Sequence, residues 1–165
     1  MKIARFSLYT AAVLSTALLI APNFAASADG PHAHGSDQDK RLVLPLDAKE
    51  RHFLLSEMRE FLVVVQRIVA ANQAGNMQEV AAAATSVGLK AHQADFADPA
   101  SLVHGIRKKA PKEFFPLGKA THEGFDEIAS VATAIGDKET VGKLLADNLQ
   151  RCVACHAIYQ VGSAH

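Results

Sequence analysis

Only two cysteines occur in this sequence, Cys152 and Cys155. That scarcity excludes a disulfide framework, because one bridge across so small a loop would constrain little of the unfolded chain. It also excludes a four-thiolate zinc site, since no second cysteine pair exists. An excess of one charge is missing too: 17 basic residues stand against 17 acidic ones. No broad basic field is left for nucleic acid, and no acidic tail appears. Sustained alternation of apolar and polar residues is absent, so no sheet is expected. Nor is there a Ser/His/Asp arrangement, a paired acidic dyad or a phosphate-binding glycine loop, and nothing points to an enzyme.

What is present begins with "MKIARFSLYTAAVLSTALLIAPNFAASADG". Lys2 and Arg5 precede an apolar stretch from Phe6 to Ala21, and Ala26-Ser27-Ala28 forms a small-x-small site. Residues 1–28 read as a secretory signal peptide cleaved after Ala28, which predicts a periplasmic protein. The apolar run is short for a bilayer span and is diluted by Ser7, Thr10, Ser15 and Thr16, so no lasting membrane span is expected. Losing Lys2 and Arg5 with the leader leaves the remainder slightly acidic. Residues 29–44 are polar and rich in Gly, His and Asp, the composition of a flexible arm. His32 and His34 on that arm are read as incidental, with metal binding as the alternative.

From residue 45 to 165 the pattern is helical. Asp47 is an N-cap with Glu50 in the capping-box position. Leu54, Met58, Phe61, Val65, Ile68 and Asn72 then follow helical spacing, widened by Leu55, Leu62 and Val69, to a stop near Gly75. Asn76 with Glu79 opens a second, alanine-rich helix that is expected to continue past Gly88. Pro99, Pro111 and Pro116 break up residues 95–116, leaving room for a short helix over 101–109. A third long helix starts near Pro116, carries Leu117, Thr121, Phe125, Ile128, Ala132 and Ile135, and stops at Gly136. Asp137 caps a fourth, bearing Val141, Leu144 or Leu145, Asn148, Cys152 and Cys155. Four amphipathic helices with mostly short connections predict an all-α, antiparallel four-helix bundle.

Near its end the chain reads "NLQRCVACHAIYQ". Positions i, i+3 and i+4 of a helix are neighbours, so Cys152, Cys155 and His156 share one patch. Two thiols so spaced can add to the two vinyl groups of a haem, with His156 beneath the ring and its Nε2 on the iron. This is the c-type attachment signature, and it suits an exported protein. A zinc site would need a fourth ligand. A thioredoxin-like pair would need a βαβ context and a helix N-terminus.

An exported helical chain with "CVACHAIY" near its C-terminus resembles the class II cytochromes c, which include cytochrome c′ and cytochrome c-556. The similarity covers about residues 45–160. In that family an aromatic residue follows CxxCH by three positions, and Tyr159 stands there. The next residue is commonly arginine; here it is Gln160, so proximal-side chemistry that needs the arginine does not carry over. The resemblance implies one covalently attached haem c with His156 as proximal iron ligand. It also implies a distal position on the first helix, which register assigns to Met58. Methionine there gives a low-spin one-electron carrier that exchanges electrons with unidentified redox partner proteins. An apolar residue there, such as Leu55 one turn away, gives instead a five-coordinate protein that binds NO or CO. The family also forms dimers through its first two helices, with Phe53 or Val64 as candidate contacts here. His122 is a lesser candidate for bis-His ligation, Arg51 for a haem propionate, and the Arg107–Lys112 run for a docking patch.

Overall fold

The computed structural model describes residues 39–162. The leader, His32 and His34 lie outside them. Six helices account for most of the described chain: α1 (Ala48–Ala74), α2 (Met77–Ser86), α3 (Gln93–Ala97), α4 (Leu102–Lys109), α5 (Phe114–Ala134) and α6 (Lys138–Ile158). Two strands of two residues each, β1 (Leu42–Val43) and β2 (Tyr159–Gln160), complete them.

The helix ends follow local chemistry. Asp47 accepts from the backbone N–H groups of Lys49 and Glu50 while the Glu50 side chain accepts from Asp47 N, a complete capping box. Gly75 closes α1 at φ 74°, a left-handed conformation that glycine adopts without penalty. Asn76, Ser101 and Asp137 cap α2, α4 and α6 through their side chains. Pro116 lies in the first turn of α5, where the amide it lacks would have had no intrahelical partner. α2 stops at Ser86 and does not continue past Gly88.

One core draws on four helices. Val64, Ile68 and Ala71 of α1 meet Val80, Ala83 and Ala84 of α2, Phe125, Ile128 and Ala132 of α5, and Val141 and Leu145 of α6. The expected stripe through Leu54, Met58, Phe61, Val65, Ile68 and Asn72 is buried or half-buried throughout, but it widens toward Val64 and Ala71 and not toward Leu62 and Val69. Leu62 is 70% exposed and Val69 46%, whereas Val64 is 2% exposed. Apolar residues cover two adjacent stripes of α1, and periodicity alone does not choose between them. Val64 is thereby withdrawn as a surface contact, and Phe53 packs partly buried against a second cluster.

That second cluster joins Leu44, Ile106, Phe114 and Tyr159, with the Phe114 and Tyr159 rings edge-to-face at 5.3 Å. It corrects the boundary expected for the arm. Leu42 and Val43 pair in parallel with Tyr159 and Gln160, and Leu44 is 4% exposed, so residues 42–44 belong to the folded domain. Nearby, the buried Glu50 carboxylate accepts from Lys109 Nζ at 2.8 Å. Gly105 makes room for it: a Cβ there would come within 2.7 Å of Glu50 Oε1. Among the described residues no helix is long and apolar enough to cross a membrane.

Candidate functional site

The motif at the end of α6 is oriented by the helix before it. Val141 and Leu145 are anchored in the core. Asn148, 2% exposed, donates from Nδ2 to the Thr121 carbonyl at 3.3 Å and accepts from Arg151 Nη1 at 2.6 Å. Gly124 on α5 leaves space for that network, since a Cβ there would collide with Asn148 Oδ1 and with Arg151 Nη1. With the rotation of α6 held this way, Cys152 and Cys155 come out half-buried and His156 exposed. Immediately afterwards β2 buries Tyr159 at 6% exposure.

A cavity of about 210 Å³ opens beside this turn. Cys155 and His156 line it from α6, Leu55 and Met58 from α1, and Arg41 and Leu44 from the segment around β1. The structure thus brings together three of the four expected site residues. Cys152 stands one turn before His156 on α6 but is not part of the lining. Met77 packs against the main core. His122 lines a different cavity and holds the Val87 carbonyl through Nδ1 at 2.8 Å. Arg51 donates to the Gly162 carbonyl at 3.1 Å. The basic run is largely engaged: Lys109 pairs with Asp47 and Glu50, and Arg107 lies 4.7 Å from the Phe115 ring centre.

No disulfide joins Cys152 to Cys155. Burial pushes the Cys152 thiol up, and burial followed by the neighbouring Cys152 pushes Cys155 up. A redox dithiol needs the opposite, a thiolate stabilised near neutral pH. Two protonated thiols, an imidazole and a thioether are what this end of the molecule offers to a ligand. Arg41, paired with Asp39, also reaches the His156 carbonyl at 3.4 Å, and Gln160 Nε2 donates to the Arg41 carbonyl at 3.1 Å. Arg41 and Leu44 are functional candidates that composition concealed, because they lie in a stretch that reads as a loose arm. The apolar run "LVL" within that polar stretch is the signal that marks them.

No family model matches this chain, and neither a curated protein nor a solved structure matches it significantly.

Proposed function

We propose that this chain is a periplasmic monohaem c-type cytochrome of the class II kind, built as an antiparallel four-helix bundle, that carries single electrons between partner proteins and has no substrate of its own. The observation that carries the reading is that Met58 on α1 and His156 on α6, far apart in sequence, line one cavity together with Cys155. In this reading Cys152 and Cys155 hold the haem through thioether bonds, His156 is the proximal iron ligand and Met58 the distal one. When bound, the group supplies a one-electron iron couple, and histidine–methionine ligation raises its reduction potential.

The residues around the cavity fit such a group. Leu44 and Leu55 present apolar surface, and the Arg41 guanidinium supplies a cation suited to a carboxylate. Leu62 lies one turn beyond Met58, and Leu149 and Val153 flank Cys152; all three are exposed apolar side chains. A large apolar ligand spread over this region would cover them, and exposed apolar patches commonly mark such sites. Burial raises both thiol pKa values, which keeps the thiolate fraction low and slows disulfide exchange at this end of the molecule.

A second reading has one observation in its favour: Leu55 lines the same cavity as Met58. With Leu55 facing the iron, the distal position would be vacant and the protein would bind NO or CO. Absorption spectra of the holoprotein, oxidised and reduced, with and without carbon monoxide, separate the two. The carrier reading expects sharp low-spin bands that carbon monoxide leaves unmoved and that Met58→Ala abolishes. High-spin bands that shift with carbon monoxide in the unaltered protein would transfer the assignment to the gas binder. A preparation with no covalently attached haem would overturn both.

A further inference from the structure

A second cavity, of about 90 Å³, lies among α1, α3, α4 and α5. Phenylalanine rings form much of its wall: Phe53, Phe61, Phe96, Phe114 and Phe115 all line it. These rings do not lie parallel. Phe96 is inclined at 60° to Phe115 and at 85° to His122, with ring centres 5.6 and 5.5 Å apart. Phe61 meets the His122 ring at 64° and 5.0 Å. Aromatic walls set at such angles enclose a space from several directions, as in the cages that hold alkylammonium groups. About three waters would fill the volume, but the mainly apolar wall offers them few partners. It is also far smaller than the several hundred Å³, roughly, of a drug-sized site, so size selects one compact group.

The charged part of the lining is mostly acidic. Glu57 is half-buried and makes no ion pair among the described residues. Burial pushes its carboxyl up, His92 opposes that push, and Glu60 and Asp95 add to it. A cation brought beside Glu57 would offset it. Lys119 also lines the cavity, but its ammonium is paired with Glu123 one turn on. Burial holds His122 toward its neutral form, and its Nδ1 is occupied by the Val87 carbonyl at 2.8 Å. His92 Nε2 is shut away from solvent and has no hydrogen-bond partner among the described residues. A hydroxyl on a ligand can donate or accept, so it suits that nitrogen in either tautomer.

We propose that this cavity binds a small organic ammonium ion, its alkyl groups against the phenylalanine rings and its charge beside the Glu57 carboxylate. Cys152, Cys155, His156 and Met58 take no part in the lining, so the site does not depend on whether haem is attached. An anion would meet Glu57 and Asp95, and an uncharged ligand of the same shape would leave Glu57 without a partner. Arg107 lies 4.7 Å from the Phe115 ring centre without lining the cavity, so that ring already stands against one cation. Phe96, on the short helix α3, carries no such charge and is the ring to remove.

The test titrates the full-length purified protein, with its haem if present, by isothermal calorimetry. The probes are choline and neohexanol, the alcohol in which carbon replaces the charged nitrogen. Choline should bind saturably at about one per chain, and about tenfold or more tighter than the uncharged alcohol. Glu57→Gln keeps the shape, removes the charge and should weaken choline about tenfold. Phe96→Leu keeps an apolar side chain, removes the ring and should weaken choline about fivefold. Both residues are only half-buried, and circular dichroism confirms that the variants remain folded. The proposal is overturned by an unaltered protein with no saturable choline binding, by neohexanol binding as tightly as choline, or by choline affinity that survives both Glu57→Gln and Phe96→Leu.

Discussion

Ile68, Val80, Ala83, Ile128 and Val141 in the core shared by α1, α2, α5 and α6 are 0% exposed, whereas Leu44, Ile106, Phe114 and Tyr159 in the second cluster retain 4–7%. Both clusters draw on aliphatic and aromatic side chains, so composition does not separate them. Completion does. The first is closed by branched aliphatics and alanines that fit against Phe125. The second is bordered by two cavities, and Phe114 lines both of them. Its partners include Cys155 and residues next to the candidate iron ligands. Cavities border the second cluster and not the buried residues of the first, so the two are expected to respond differently when a side chain is cut back.

The largest effect that can test this contrast comes from truncating one aromatic residue in each cluster. Phe125→Ala should cost about 3–5 kcal/mol in denaturant-measured stability, because the surrounding core cannot collapse into the space. Phe114→Ala should cost less, about 2 kcal/mol, in protein without a bound ligand, since its neighbourhood is already open. Equal losses would show that the second cluster is as tightly packed as the first.

A middle-sized effect is expected where the second cluster is tied by charge. Lys109→Met removes the partner of a Glu50 side chain that is 4% exposed and should cost about 1–3 kcal/mol. Adding Glu50→Gln should restore part of that loss in a double-mutant cycle, because the stranded charge is gone. No restoration would mean that packing, not ionisation, holds α1 to α4.

The smallest effect is a pH dependence at the border between the two regions. His122 is held below its usual pKa, first by burial, with His92 adding to the depression and the Val87 carbonyl and Asp126 opposing it. Its folded form therefore prefers the neutral ring. The stability linked to this is fully present above about pH 6.5 and is lost as pH falls through the lower folded value. The protein should show this decline on acidification, and His122→Gln should flatten it relative to the unaltered chain. A decline that persists unchanged in the variant would assign the acid sensitivity to other groups.

How much of this was legible in the sequence depends on how locally each feature is encoded. The caps at Asp47, Asn76 and Asp137 and the stops at Gly75 and Gly136 need only a few neighbouring residues, and all of them are found in the structure. The cysteine motif was equally plain because its three residues are nearly contiguous. The main stripe of α1 was legible, but its width was assigned to Leu62 and Val69 instead of Val64 and Ala71, since that edge is selected by α2, α5 and α6 and not by α1 itself. α3 was missed because five residues carry almost no periodic signal. Arg41 and Leu44 were concealed because their environment is made by Tyr159 and Gln160 from the far side of the chain. The second cavity is less visible still: four elements must come together before Glu57, His92 and His122 share a space.

The short β1–β2 pairing has a consequence for the order of events as the chain is made. Among the described residues β1 precedes every helix, yet its partner follows α6, so the ladder can form only after the sequence of all six helices has been made. Contacts between such distant stretches close late and are among the first to open. The segment carrying Arg41 would therefore act as a seal applied last. Until it is in place, the cysteine turn remains more open to solvent than in the finished fold.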